Sequence, residues 1–180
     1  MNFKIEPTQV ADCFLIGISP YMDKRGSLEV RYERKFFYSI GFREVEQENI
    51  LVSNRGAIRG MHWQEGIHAQ AKILNVIKGE IFDVVFDLRP VSVTYRTIAT
   101  FRLTPSSPTL LIPRGCAHGL QGISRTSIVQ YKTDSPYNAS KSKSFRWNDL
   151  DAAIPWPIAN PILSEMDSAA PSLDRILNEK

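Results

Sequence analysis

At 180 residues, with 43% hydrophobic and 23% charged content, the chain has the size of one globular domain with a substantial core and leaves no room for a second full domain. Its net charge of +3, from 22 Lys and Arg against 19 Asp and Glu, is scattered and forms no basic block of the kind that tracks a nucleic-acid backbone, so any bound anion is expected to be small. Apolar runs such as 81–86 fall far short of the ~20 residues a bilayer span needs, and no cationic leader precedes one, so a soluble, cytoplasmic protein without membrane contact is expected. Cys13 and Cys116 indicate no disulfide framework; reduced thiols are expected, with a single bridge left open.

In chain order, residues 32–40 predict a short helix. Apolar and polar residues then alternate with strand period over 72–77 and 81–88, and Lys78, Gly79 and Glu80 between them predict a hairpin. Further β-rich runs at 97–103, 109–112 and 127–133 are bounded by Pro, Gly or Ser, a spacing that predicts an all-β sandwich or barrel. The Pro-rich stretch 154–161 reads as an ordered connection packed by Trp156, and residues 172–178 after Pro171 predict a last short helix with Ser172 as its cap. No internal repeat or low-complexity tract is present.

Two separated motifs carry the chemistry. Gly56-Ala-Ile-Arg59-Gly-Met-His62-Trp-Gln64 with Lys72 and Gly79, then Pro113-Arg-Gly115-Cys-Ala-His118, resemble the paired motifs of cupins. That resemblance implies a cupin-type double-stranded β-helix, a jelly-roll barrel with a few short helices. Metal-binding cupins carry His-x-His and a Glu in the first motif, whereas here Gln64 takes the second His position and Lys72 the Glu position. An ammonium opposes a divalent ion, and imidazole plus amide is a poor ligand set, so no metal is expected and a metal-dependent oxygenase is disfavoured.

A more specific resemblance covers nearly the whole chain. Asp23-Lys-Arg25-Gly26, Gln47-Glu-Asn49, residues 58–64, Ala69-Gln-Ala-Lys72, residues 82–89, residues 112–119, Tyr131-Lys132, Trp147-Asn-Asp149 and Leu163-Ser-Glu-Met-Asp167 occur in the order found in the dTDP-4-dehydrorhamnose 3,5-epimerase family. The resemblance implies a cofactor-independent isomerase that takes a nucleotide-linked 4-keto-6-deoxy-hexose and serves surface polysaccharide synthesis. Epimerising a carbon beside a ketone needs a base, enolate stabilisation and an acid on the opposite face. By resemblance His62 is the base, Asp167 orients its imidazole, Lys72 faces the C4 oxygen and Tyr131 returns the proton; Tyr137 competes with Tyr131 for that role. His118 is expected to support the sugar, Arg59 and Arg25 to hold the nucleotide, and Gln47 and Asn49 to contact base or sugar.

The family also implies a homodimer whose N-terminal strands cross over, so that Arg25 and Glu29 serve the neighbouring subunit, with a C-terminal extension from about residue 150 within one domain, 1–180. Leu28, Val45 and Cys116 stand where the family usually carries aromatic residues. Alternatives are epimerisation at one carbon only, a different nucleotide sugar, or a non-catalytic cupin that binds nucleotide sugars. Plainer readings are also available: His118 could serve only packing, Arg59 could pair with a barrel carboxylate, His68 is expected to be structural, and Trp63, Trp147 and Trp156 to be core.

Overall fold

Two antiparallel sheets carry the computed structural model, which describes residues 3–178; the terminal residues 1, 2, 179 and 180 of the expected domain lie outside the described residues. In chain order the elements are β1 (Phe3–Pro7), β2 (Phe14–Ile18), β3 (Tyr21–Asp23), β4 (Gly26–Leu28), α1 (Arg34–Ser39), β5 (Gln47–Asn54), β6 (Ile58–Gln64) and β7 (Lys72–Lys78). There follow β8 (Ile81–Asp87), β9 (Ile98–Leu103), β10 (Thr109–Ile112), β11 (Cys116–Gly122), β12 (Thr126–Thr133), β13 (Ser142–Ser144), α2 (Glu165–Ser168) and α3 (Leu173–Asn178). One sheet is ordered β1-β2-β10-β7-β12-β5 and the other β13-β6-β11-β8-β9, with β3 and β4 as a separate ribbon. From β5 to β8, and again from β9 to β13, each strand joins the sheet opposite its predecessor's, the winding of a jelly-roll barrel. Apolar side chains of both sheets, among them Leu74, Leu110 and Val129 from one and Val85, Ala99 and Leu120 from the other, meet in one cluster.

This winding corrects the expected hairpin. β7 and β8 are consecutive but lie in different sheets, and residues 78–80 form a corner between them. The corner's backbone groups turn to the 123–127 segment: the Glu80 carbonyl accepts from Ile123 N at 2.9 Å and from Ser127 Oγ at 2.7 Å, and Glu80 N donates to Ser124 Oγ at 3.0 Å. Gly79 has φ +76°, and a Cβ there would lie 2.5 Å from the Thr126 carbonyl oxygen, so this crossing requires glycine. β8 is buried along its whole length. Ile81 and Val85 face the barrel interior, while Phe82, Val84 and Phe86 face a second cluster with Phe145, Ala152 and Leu173.

That second cluster explains the segment beyond β13. Residues beyond β13 cover the outer face of the five-stranded sheet; Trp156 packs edge-on against Phe82 and its Nε1 donates to the Trp147 carbonyl at 2.7 Å, as expected for an ordered connection. α3 falls on the predicted 172–178 segment, with Arg175 N donating to Ser172 Oγ at 3.4 Å. On the other sheet α1 is capped by Glu33, whose carboxylate accepts from Lys35 N at 3.1 Å and Phe36 N at 2.9 Å, and it buries Phe37 against Ile16, Ile73 and Leu111. Both cysteines are free and buried in the barrel cluster, where burial pushes the Cys13 thiol up to about 12 and the Cys116 thiol higher. No helix among the described residues is long and apolar enough to cross a membrane.

Candidate active site

The barrel encloses a cavity of about 180 Å³ lined by Leu51, Arg59, His62, Lys72, His118, Leu120 and Tyr131. Four strands supply the reactive groups. His62 on β6 and His118 on β11 are direct register partners across the five-stranded sheet. Lys72 opens β7 opposite Thr133 of β12, and Tyr131 stands two residues earlier on that strand, on the same face by the period-two rule. Two wider surface hollows, of about 330 and 540 Å³ beside Arg89, bring no imidazole, amine and phenol together.

Asp167 enters from the C-terminal layer. Ser164 caps α2 by accepting from Asp167 N at 3.1 Å, which fixes the residue over β6 and sends its carboxylate to His62, Oδ1 to Nε2 at 2.6 Å. A carboxylate can only accept, so Nε2 carries a proton, and the neutral form of the ring has its lone pair on Nδ1, which has no partner among the described residues. Burial pushes the Asp167 carboxyl up, but hydrogen bonds from His62, Ser164 and the Gly60 backbone outweigh it and hold the group below its ordinary value. Asp167 is thus an anion, placed where the conjugate acid of His62 would meet a negative charge.

Opposite lies a second pair that sequence reasoning did not assemble. Asp83, fully buried on β8, accepts from His118 Nε2 at 2.9 Å through Oδ2, while its Oδ1 has no partner among the described residues. Burial lowers the His118 pKa more than Asp83 raises it, and Lys72 and His62 lower it further, so this imidazole is neutral. A signal for Asp83 was present: a carboxylate inside a strand buried on both faces demands a partner. Desolvation brings Lys72 down to about 8, with the Asp83 charge opposing the fall. Burial raises Tyr131, with Arg59 acting against it, and keeps the phenol protonated.

Arg59 sits at the exposed mouth, donating to the Val52 carbonyl at 3.0 Å and to Ser53 Oγ at 3.2 Å. It makes no ion pair with a barrel carboxylate among the described residues, so its charge is available to an anion. Gln47 and Asn49 point to the same face of β5 as Leu51, and Gln47 donates to Asn49 at 2.8 Å while accepting from Tyr137 N at 3.0 Å. The Tyr137 ring is 58% exposed and does not line the cavity. Nor do Arg25 and Glu29: Arg25 pairs with Asp23 in the β3–β4 ribbon, and Glu29 pairs with Arg31. Gln64, at the would-be ligand position, is fully engaged: it donates to the His68 and Pro136 carbonyls at 2.8 and 3.1 Å and accepts from Asn138 N at 2.6 Å.

A jelly-roll barrel presenting a carboxylate-held imidazole, a buried amine and a phenol around one cavity is an enzyme of the carbon-acid type, an isomerase scaffold of the cupin class. The family model for dTDP-4-dehydrorhamnose 3,5-epimerase matches residues 7–175, and the chain belongs to that family. The dTDP-4-dehydrorhamnose 3,5-epimerase of Salmonella typhimurium is 34% identical over 174 residues, covering 94% of this chain and 95% of that one. The crystal structure of the Bacillus anthracis enzyme with TDP and pyrophosphate bound superposes with a TM-score of 0.90 at 35% identity, covering 96% of this chain and all of that one. The Legionella pneumophila enzyme in complex with dTDP-4-keto-L-rhamnose gives 0.91 at 30% identity, covering 99% and 96%.

Proposed function

We propose that this chain epimerises C3 and C5 of dTDP-4-dehydro-6-deoxy-D-glucose to give dTDP-4-dehydro-L-rhamnose, without a cofactor. The observation that carries the reading is the 2.6 Å His62–Asp167 contact at a cavity shared with Lys72 and Tyr131. The ketone at C4 acidifies the hydrogens on both neighbouring carbons, so one base serves both centres. His62 Nδ1 takes a proton from C3 or C5, the electron pair moves onto the C4 oxygen, and the Lys72 ammonium faces that developing enolate. Tyr131 then delivers its hydroxyl proton to the opposite face of the carbon, and solvent restores both groups. The lone pair of His118 Nδ1, set by the Nε2–Asp83 hydrogen bond, accepts from a sugar hydroxyl and orients the ring, and Arg59 takes a phosphate of the nucleotide with its planar fork of donors.

Residues 1–180 are read as one catalytic unit in a cytoplasmic homodimer. Support for the dimer is twofold. β5 ends its sheet with Ile50 and Val52 62% and 52% exposed on the outer face, a hydrophobic edge that a monomer ordinarily protects. The β3–β4 ribbon exposes Tyr21, Met22 and Leu28 and carries Arg25 away from its own cavity, as a segment that completes a neighbour's site would do. Gln47, Asn49 and Tyr137, joined by hydrogen bonds, would contact the nucleoside or the sugar.

The test is exchange in deuterium oxide followed by NMR. Deuterium entering C3 and C5 with inversion supports the reading; entry at one carbon makes the protein a mono-epimerase, and tight nucleotide binding without exchange makes it a binding cupin. His62→Ala is expected to abolish exchange and leave nucleotide affinity unchanged, since the base acts in the transition state.

A further inference from the structure

Arg59 and His62 are three residues apart on β6, yet both line the cavity. On a regular strand that spacing is forbidden, because side chains alternate and residues three apart point to opposite faces. The register resolves the conflict: His118 pairs with His62 and Leu120 with Arg59, so two steps along β11 span three along β6. β6 therefore carries one extra residue at Gly60–Met61, a bulge of the kind that re-aims side chains.

The seam around the bulge is tight. A Cβ on Gly60, whose φ is +131°, would lie 2.6 Å from Gly119 Cα and 2.8 Å from the His118 carbonyl oxygen. A Cβ on Gly119 would lie 2.6 Å from Met61 Sδ and 3.2 Å from the Arg59 carbonyl oxygen. Both strands thus approach as closely as two glycines allow. The Gly60 backbone N–H also helps hold the Asp167 carboxyl below its ordinary value, so one irregularity bears on the imidazole and on the group that orients it.

We propose that the Gly60–Met61 bulge, seated against Gly119, is a positioning device that sets the offset between the anion-facing Arg59 and the proton-abstracting His62, and so decides how C3 and C5 are presented to the base. Gly60 and Gly119 are positioning residues with no contact to substrate required of them. The proposal rests on the epimerase reading above and deepens it.

Gly119→Ala tests it, because the added methyl overlaps the flexible end of Met61 and also comes within 3.2 Å of the Arg59 carbonyl oxygen, so the bulge must give by a few tenths of an ångström without burying a polar group. The expected result is a fall in kcat of about tenfold or more with nucleotide affinity retained, since displacements well under an ångström are costly at a reacting centre. The ratio of deuterium entering C3 to that entering C5 is expected to change as well, which simple loss of stability would not cause. Adding Met61→Ala removes the overlapping sulfur and leaves only the Arg59 carbonyl contact pressing on the bulge, so it is expected to recover part of the loss in kcat and of the change in ratio; this double variant carries the test even where the single one does not fold. Wild-type kcat and ratio in a folded Gly119→Ala, or a double variant that recovers neither, would overturn the proposal. Absence of exchange at either carbon in the wild-type protein would instead overturn the epimerase reading itself.

Discussion

Replacing Asp167 by Asn removes one negative charge and leaves the local frame in place, since Ser164 still caps α2 through the residue 167 backbone. With Nε2 and Oδ1 at 2.6 Å, the charge centres of an imidazolium and this carboxylate stand roughly 4 Å apart, where opposite charges attract by about 4 kcal/mol at an effective dielectric near 20. A third of the His62 side-chain surface reaches water. Screening there reduces the loss to about 3 kcal/mol, on the order of a 10²-fold fall in rate. An Asn amide that turns its NH₂ toward Nε2 would also move the imidazole proton to Nδ1 and remove the base, so this factor is a lower bound. The assay is single-turnover deuterium incorporation by NMR, with nucleotide affinity measured by calorimetry as the control for binding. Since the folded Asp167 carboxyl lies below its ordinary 3.8, the wild type's stability advantage from it is full above that pH and fades as pH falls below it. Turnover by Asp167→Asn within a few-fold of wild type would refute the claim that this carboxylate stabilises the imidazolium.

Lys72→Met is expected to abolish turnover yet raise the thermal midpoint near pH 7, because the folded protein holds that ammonium against a pKa of about 8; the stability gap should narrow between pH 8 and 10, where the folded wild type has already released the proton that its unfolded chain still binds. Tyr131→Phe should still incorporate deuterium, now with retention and little epimer, because His62 remains to return the proton to the face it came from; Tyr137→Phe should invert normally, and NMR distinguishes the two. Mixing inactive Arg25→Ala and His62→Ala chains under conditions of subunit exchange should regenerate about a quarter of wild-type activity, since a symmetric hybrid dimer would contain one site built from two intact contributions. No recovery would place Arg25 outside the partner's site.

Much of the barrel was legible because its strands announce themselves locally. β9, β10 and β12 fall within a residue of the runs predicted at 97–103, 109–112 and 127–133, and each is bounded by the Pro, Gly or Ser that ends it. β6 was not read as a strand from alternation, and its bulge explains why: residues 58–64 do not keep period two. Lys78-Gly79-Glu80 signals a change of direction but is silent on which sheet the next strand joins, so a crossing between sheets read as a hairpin. Asp83 escaped for a related reason. Its partner His118 lies 35 positions away, and only the closed barrel brings the two within hydrogen-bonding distance. Arg25 and Glu29 were assigned by resemblance to the neighbouring subunit; within one chain they pair with Asp23 and Arg31 and do not line the His62 cavity.

The two carboxylates divide the electrostatic work of the cavity. In the proposed reaction Asp167 faces the imidazole that becomes positive when a proton is taken, and Lys72 would face the oxygen that becomes negative, so each charge created by carbon-acid ionisation would arise beside a fixed opposite charge. Asp83 acts before that moment: its charge opposes the fall of the Lys72 pKa, while its Oδ2 accepts from His118 Nε2 and leaves that neutral ring an acceptor toward the cavity. Lys72 has no hydrogen-bond partner of its own among the described residues and is held by charge alone. In the proposed reaction this half-buried ammonium would be best satisfied when an enolate oxygen reaches it, which would make the site complementary to the ionised sugar and not to the ketone.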